Sequence, residues 1–245
     1  MEVDLWFADY AALRCEELAS SSDGILDAEE LARRNRFVFE RDRRSFAVSH
    51  VLLRRILSRY APLAPAEWRF DFNTWGKPRI ANPNLERAVY FNLSHTRGAA
   101  LVGVSYDAEI GVDIEQTERD ASCVELADRY FSPTEVRALR ELPSSSQQRE
   151  RFFELWTLKE SYIKARGMGL AIPLDQFSFE FPLGDTSPAE VKPGISFSPA
   201  LGDSPDVWQF IQRPIGASFR AAAAVRTSPG ATVRFLWKQT AGDFL

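Results

Sequence analysis

What this sequence lacks narrows its function before any motif is considered. Its 245 residues include two cysteines, Cys15 and Cys123, and two histidines. The cysteines show no metal-ligand spacing and suggest no disulfide framework. Two histidines cannot build a histidine-rich metal centre. No apolar run approaches the roughly 20 residues that span a bilayer. Lys and Arg number 30 against 34 Asp and Glu, a net charge of −4. There is thus no global electrostatic pull toward nucleic acid or anionic membrane. Met1-Glu2-Val3-Asp4 lacks the charged and apolar regions of a signal peptide. The expectation is a reduced, cytoplasmic protein with no nucleic-acid or membrane partner. An apolar content of 45% and a charged content of 26% are those of an ordinary globular chain, long enough for one large domain or two small ones with real cores.

What is present gathers in a few stretches. Trp156-Thr157-Leu158-Lys159-Glu160-Ser161-Tyr162-Ile163-Lys164 reads as part of a helix over Arg149–Arg166 that stops at Gly167. Trp156, Glu160 and Lys164 recur at i, i+4 and i+8 and share one side, and Lys159 is expected to flank that row. Ile110-Gly111-Val112-Asp113-Ile114-Glu115 alternates with the period of a strand. Ile110, Val112 and Ile114 face a core, and Asp113 and Glu115 face the other way. Alone, the first is an ordinary helix-stabilising pair and the second an exposed sheet face. Together they place carboxylates and ammonium groups where a hard divalent cation and phosphate could be handled, because Mg2+ takes oxygen ligands and keeps positions for water and phosphate.

Elsewhere, Glu2–Ala8 reads as a strand and Asp23–Leu31 as a helix start. An arginine-rich segment follows, with Arg33 and Arg44 among its cations; it is either a solvated face or an anion cradle. Ser45–Tyr60 has the spacing of an amphipathic helix. Trp68–Phe72 reads as a strand. Gly76-Lys77-Pro78 marks a turn, either a plain connection or a loop open to a planar ligand. Tyr90-Phe91-Asn92-Leu93-Ser94-His95-Thr96 reads as a strand ending in polar residues suited to phosphate oxygens. Asp120–Tyr130 reads as a helix. Ser132, Pro133 and Glu135 fit a helix N-cap, N1 and N3. Gly184–Pro205 is expected to be irregular, and Val207–Gln212, Ser218–Val225 and Ala231–Trp237 to be strands. Helix 45–60 with strands 67–72, 88–93 and 99–105 is echoed by helix 149–166 with strands 176–181, 207–212 and 218–225. This predicts an α+β fold of two pseudo-equivalent subdomains, 1–112 and 113–245, with a site where they meet.

At these residues the chain resembles the Sfp-type 4'-phosphopantetheinyl transferases. Gly111–Glu115 matches the family's G-x-D-x-E signature and Trp156–Lys164 its W-x-x-K-E-(A/S)-x-x-K signature. Phe91–His95 matches F-N-x-S-H and Gly76–Pro78 matches G-K-P. The resemblance implies a pseudo-twofold pair of subdomains with coenzyme A at their interface. It implies transfer of phosphopantetheine to a serine of an apo acyl or peptidyl carrier protein, leaving adenosine 3',5'-bisphosphate. It implies Mg2+ on Asp113, Glu115 and Glu160, and phosphate contact by His95 with Ser94 beside it. Lys159 and Lys164 would neutralise pyrophosphate, and Gly76, Lys77 and Pro78 would lie along adenine. Arg33 and Arg44 are the candidates for the 3'-phosphate. Glu160, directly or through a metal-bound water, would take the serine proton, with Lys164 as its catalytic companion. A monomer is expected because the two halves supply both sides of the site. The rivals are a Mg2+-dependent nucleotide phosphohydrolase using the same carboxylates, and a binding module built on the arginines.

Overall fold

The computed structural model describes residues 1–118, 123–181 and 190–240. Alternation decides how its sheets are used. In β1 (Glu2–Asp9), Val3, Leu5 and Phe7 enter a central core while Trp6 and Ala8 enter another on the opposite face. Both faces of the strand are covered, as they must be when a sheet is a middle layer. Three short helices, α1 (Cys15–Ser20), α2 (Ser22–Ile25) and α3 (Ala28–Asn35), lead to α4 (Glu40–Leu57). α4 begins five residues before the amphipathic pattern, because Glu40 and Asp42 suit the positive end of the helix dipole. Its Phe46, Val51, Leu52 and Ile56 cover the outer face of the first sheet.

A small hairpin, β2 (Phe70–Phe72) with β3 (Pro78–Ile80), precedes β4 (Tyr90–Thr96), β5 (Ala99–Ser105) and β6 (Ile110–Gln116). The second half has α5 (Cys123–Tyr130), α6 (Pro133–Arg140) and α7 (Ser145–Arg166). It continues with a hairpin of β7 (Phe177–Glu180) and β8 (Gly194–Phe197), then β9 (Trp208–Ile215), β10 (Phe219–Arg226) and β11 (Arg234–Gln239). The helix–strand echo is therefore longer than its sequence pattern: each half runs helix, hairpin, then three strands. The expected helix from Arg149 starts at Ser145, where the Ser144 hydroxyl accepts from the Gln147 N–H. The capping box at Ser132 and Glu135 is formed, and Gly167 ends α7 at φ 68°. The stretch expected to be irregular contains β8; its residues 184–189 lie outside the described residues, as do 120–122 of the expected Asp120–Tyr130 helix and 241–245 of the tail.

The strands do not stay with their own half. The first sheet has the order β11-β1-β5-β4 and the second β6-β10-β9. β6 leaves the first series to pair antiparallel with β10, and β11 leaves the second to pair parallel with β1. The two sheets face each other across Leu5, Leu101, Val112, Ile114, Ala221 and Ala223. α4 and α7 lie on the outer faces. On the α7 side, β10 presents Ala222 and Ala224, and β6 presents Gly111. A Cβ at Gly111 would lie well inside van der Waals contact of the Ser161 carbonyl oxygen and the Ala165 nitrogen, both helix backbone that cannot yield. Gly111→Ala is accordingly expected to cost about 3 kcal/mol or more, read as a lowered urea midpoint, and to pull Glu160 and Lys164 away from Asp113.

Candidate active site

The close approach at Gly111 sets the site. The next side chain of β6 facing α7 is Asp113, 3% exposed. Its Oδ1 accepts from the Lys164 ammonium at 2.6 Å and from the Ser94 hydroxyl at 2.8 Å. Its Oδ2 is buried and has no hydrogen-bond partner, a costly state for a carboxylate oxygen. Glu160 stands one turn before Lys164. Burial, then the charge of Asp113, push its pKa up to about 7; Lys164 opposes them, and Glu115 adds a smaller upward push. Burial alone would lower the pKa of Lys164, but Asp113 and Glu160 hold it above its ordinary value. Glu115 Oε2 accepts from the Thr96 hydroxyl at 3.4 Å.

β4 makes the other wall, and its motif works as a seam. Asn92 and Ser94, two residues apart on one face, turn their side chains to the edge of β6. Asn92 Oδ1 accepts from the Val112 N–H at 2.9 Å, and Ser94 Oγ from the Ile114 N–H at 3.3 Å. Side chains thus replace the backbone ladder between the sheets and bring Asp113 into register with Ser94. With Asp113, Lys164 and Ile114 on its hydroxyl, buried Ser94 belongs to this seam rather than to an open phosphate site. His95, next in the strand, faces the cleft. Enclosure by the cleft walls, then the charges of Lys164 and Arg33, lower its pKa.

The cleft between the halves has a volume of about 400 Å3, within the range of small-molecule sites. His95, Lys164, Arg33, Gly76, Lys77 and Pro78 all line it. Arg33 lies over the Phe46 ring, 5.7 Å from its centroid, and no carboxylate partner is present for it among the described residues. Arg44 is not in this cleft. It lines the groove on the far side of His95, 3.3 Å from Glu16.

Two lysines depart from expectation. Lys159 does not flank the Trp156–Glu160–Lys164 row. It is fully buried, and its ammonium lies 2.8 Å from Glu135 and donates to the carbonyls of Leu174 and Phe177, each at 2.8 Å. α7 is covered by β6 and β10 on one side and by α5 and α6 on the other, so a side chain one position off the row points into the second core. Lys77 has its stem on the cleft but its ammonium on the end of α7. It pairs with Glu109 and donates to the Ala165 carbonyl at 2.9 Å. Asn73 joins it, its amide donating to the Gly167 carbonyl at 2.7 Å. The Asn73–Pro78 loop therefore ties the last turn of α7 to the nucleotide-sized cleft. Asn73 and Asn92 were not singled out in the sequence as site residues; for Asn92, the period-two spacing with Ser94 was the available signal.

The residues fit a hard cation in chemistry: oxygen donors only, mutual repulsion, and an orphaned Asp113 Oδ2. Among the described residues no three His, Cys, Asp or Glu side chains are gathered closely enough to enclose a metal ion; Lys164 is what meets Asp113.

Similarity to known proteins agrees with this arrangement. The model of the 4'-phosphopantetheinyl transferase superfamily matches residues 109–220, and that of the 4'-phosphopantetheinyl transferase N-terminal region matches residues 16–106. The 4'-phosphopantetheinyl transferase HetI of Nostoc sp. is 37% identical over 199 residues, 80% of this chain and 81% of its own length. The transferase Sfp of Bacillus subtilis is 36% identical over 155 residues, 63% of this chain and 66% of its own. A crystal structure of Thermotoga maritima holo-[acyl-carrier-protein] synthase covers 49% of this chain and 63% of its own at a TM-score of 0.37 and 20% identity, too partial a likeness to carry weight. The chain belongs to the 4'-phosphopantetheinyl transferase family, of the Sfp type. It is a transferase, and its general reaction is that of the family, the modification of a carrier protein with 4'-phosphopantetheine. No helix among the described residues is long and apolar enough to cross a membrane.

Proposed function

We propose that the reaction is Mg2+-dependent transfer of phosphopantetheine from coenzyme A to a serine hydroxyl of an apo acyl or peptidyl carrier protein, with adenosine 3',5'-bisphosphate released. The observation that supports the metal is the unpartnered Asp113 Oδ2, with the charges of Asp113 and Glu115 felt at Glu160. Asp113, Glu115 and Glu160 would hold the ion, which supplies positive charge against the pyrophosphate when bound. Lys164 and His95 add donors on the phosphate side of the cleft, where charge on oxygen is the obstacle to attack at phosphorus. Arg33 takes the 3'-phosphate, and Gly76 and Pro78 lie along the base. Neither Lys159 nor Arg44 is given a contact with the nucleotide, and Lys77 holds the loop. Glu160 would accept the serine proton; a cation on its carboxylate would lower the pKa of about 7 that it has without one.

The subdomains 1–112 and 113–245 meet within β6, so one strand carries both the boundary and Asp113. The protein acts as a cytoplasmic monomer: both walls of the cleft come from one chain, and coenzyme A is an intracellular substrate. The test is product analysis with an apo carrier, coenzyme A and Mg2+. Adenosine 3',5'-bisphosphate and holo-carrier are expected in equal amounts. Phosphate release that needs no carrier would replace this reading with a phosphohydrolase.

Glu160 also makes a pH prediction. Its carboxyl titrates near 7 when folded and near 4.5 in an ordinary setting, so between those values the folded chain holds a proton that the unfolded chain has lost. Without metal, stability should fall as pH rises through this window, by no more than roughly 3 kcal/mol. Melting curves in EDTA should show the fall, and Glu160→Gln should flatten it.

A further inference from the structure

The cleft holds a second histidine that the transfer chemistry leaves unused. His50, on α4, lines its floor with Phe46, Leu53, Phe70 and Phe91. Its ring stacks on Phe46, with centroids 3.7 Å apart and planes at 22°. Its Nδ1 lies 3.0 Å from the Phe46 carbonyl oxygen. A carbonyl only accepts, and the Ser49 hydroxyl, 3.2 Å from Nδ1, gives its own proton to that same carbonyl, so Nδ1 carries the proton and Nε2 is the acceptor. Among the described residues nothing donates to Nε2, and Nε2 is not among the buried polar atoms left without a partner, so it keeps some access to solvent, on a residue that lines the cleft. Burial, then the neighbouring charges of His95, Arg33 and Arg54, push the pKa of the ring down to about 3. The lone pair is therefore kept throughout the physiological range.

The cleft is thus divided by chemistry. His95, Lys164 and Arg33 offer positive charge or donors to phosphates. Beside His50 the lining supplies Phe46, Leu53, Phe70 and Phe91, apolar surface suited to the faces of a flat base, with Asp27, Glu29 and Glu30 also on the cleft wall. On the reading that this cleft binds coenzyme A, we propose that His50 is a specificity-determining residue for the purine. Nε2 accepts an N–H from the 6-amino group of adenine and opposes the 6-carbonyl oxygen of hypoxanthine, where two acceptors would meet.

The experiment compares coenzyme A with its deaminated, hypoxanthine form in transfer, and adenosine 3',5'-bisphosphate with inosine 3',5'-bisphosphate in binding. The unaltered protein should favour the adenine member of each pair by about tenfold or more, the scale of one hydrogen bond lost with its acceptor left buried. His50→Phe keeps a ring on Phe46 and removes the acceptor, and should bring both ratios close to one. His50→Gln, whose amide oxygen can accept, should restore part of the preference. Equal binding of the two bisphosphates to the unaltered protein overturns the assignment, whatever the variants do. So does a folded His50→Phe protein that keeps the full preference. Transfer failing with both coenzymes while adenosine bisphosphate still binds better would instead remove the transferase reading and leave the role of His50 standing.

Discussion

Asp113→Asn is expected to lower kcat/KM for carrier modification by on the order of 10^3-fold, the scale of losing a charge aimed at developing phosphate charge. The side chain keeps its size, and an amide oxygen can still accept from Lys164 and Ser94, so the fold should survive with a loss of only about 1–2 kcal/mol. Two measurements separate the possibilities. Isothermal titration with Mg2+ in the presence of adenosine 3',5'-bisphosphate should lose its metal-dependent heat. Urea unfolding should show a single cooperative transition close to that of the unaltered protein. A variant that stays within tenfold of normal turnover would remove Asp113, and with it the metal, from the mechanism. β6 and α7 touch at Gly111, and this close approach brings Asp113 against Lys164.

The second large effect is on stability. Lys159→Met should destabilise the protein by roughly 3–5 kcal/mol, because it leaves the Glu135 carboxylate buried without its cation. Burial lowers the lysine's pKa, and Glu135 opposes that shift, so the pair is mutually dependent. Replacing Glu135 by Gln in the same chain should recover part of the loss. Turnover per folded molecule should be unchanged in the single variant. A Lys159→Met protein of normal stability but little activity would put this ammonium back on the pyrophosphate. A lysine inside a family signature is read most readily as a substrate contact; here, burial and distance decide that it is a core ion pair.

That contrast shows what was legible in the sequence. The strand bearing Asp113 and Glu115 announced itself because period-two alternation fixes which side chains share a face, and β6 obeys it. The row of Glu160 and Lys164 was legible for the same reason at helical period. Lys159 was not, because the helix wheel assumes one wet side, whereas α7 is covered on several. Its partner Glu135 is in a capping box whose sequence signature speaks only of a helix start. Lys77, read as part of a plain turn or of a loop open to a planar ligand, does line the cleft, but the partners of its ammonium, Glu109 and the Ala165 carbonyl, are far along the chain and left no local signal. The exchange of β6 and β11 between sheets was beyond any local pattern, since strand pairing depends on which edges meet in three dimensions. The pseudo-repeat survived this because order along the chain is kept even where hydrogen-bonding partners are traded.

The most direct test is the intact mass of an apo carrier protein after incubation with this protein, coenzyme A and Mg2+. The expected result is a gain of one phosphopantetheine on the carrier serine, lost with EDTA and with Asp113→Asn, and retained per folded molecule in Lys159→Met. A carrier that gains no mass under any metal condition, with the protein folded and coenzyme A bound, would contradict the account.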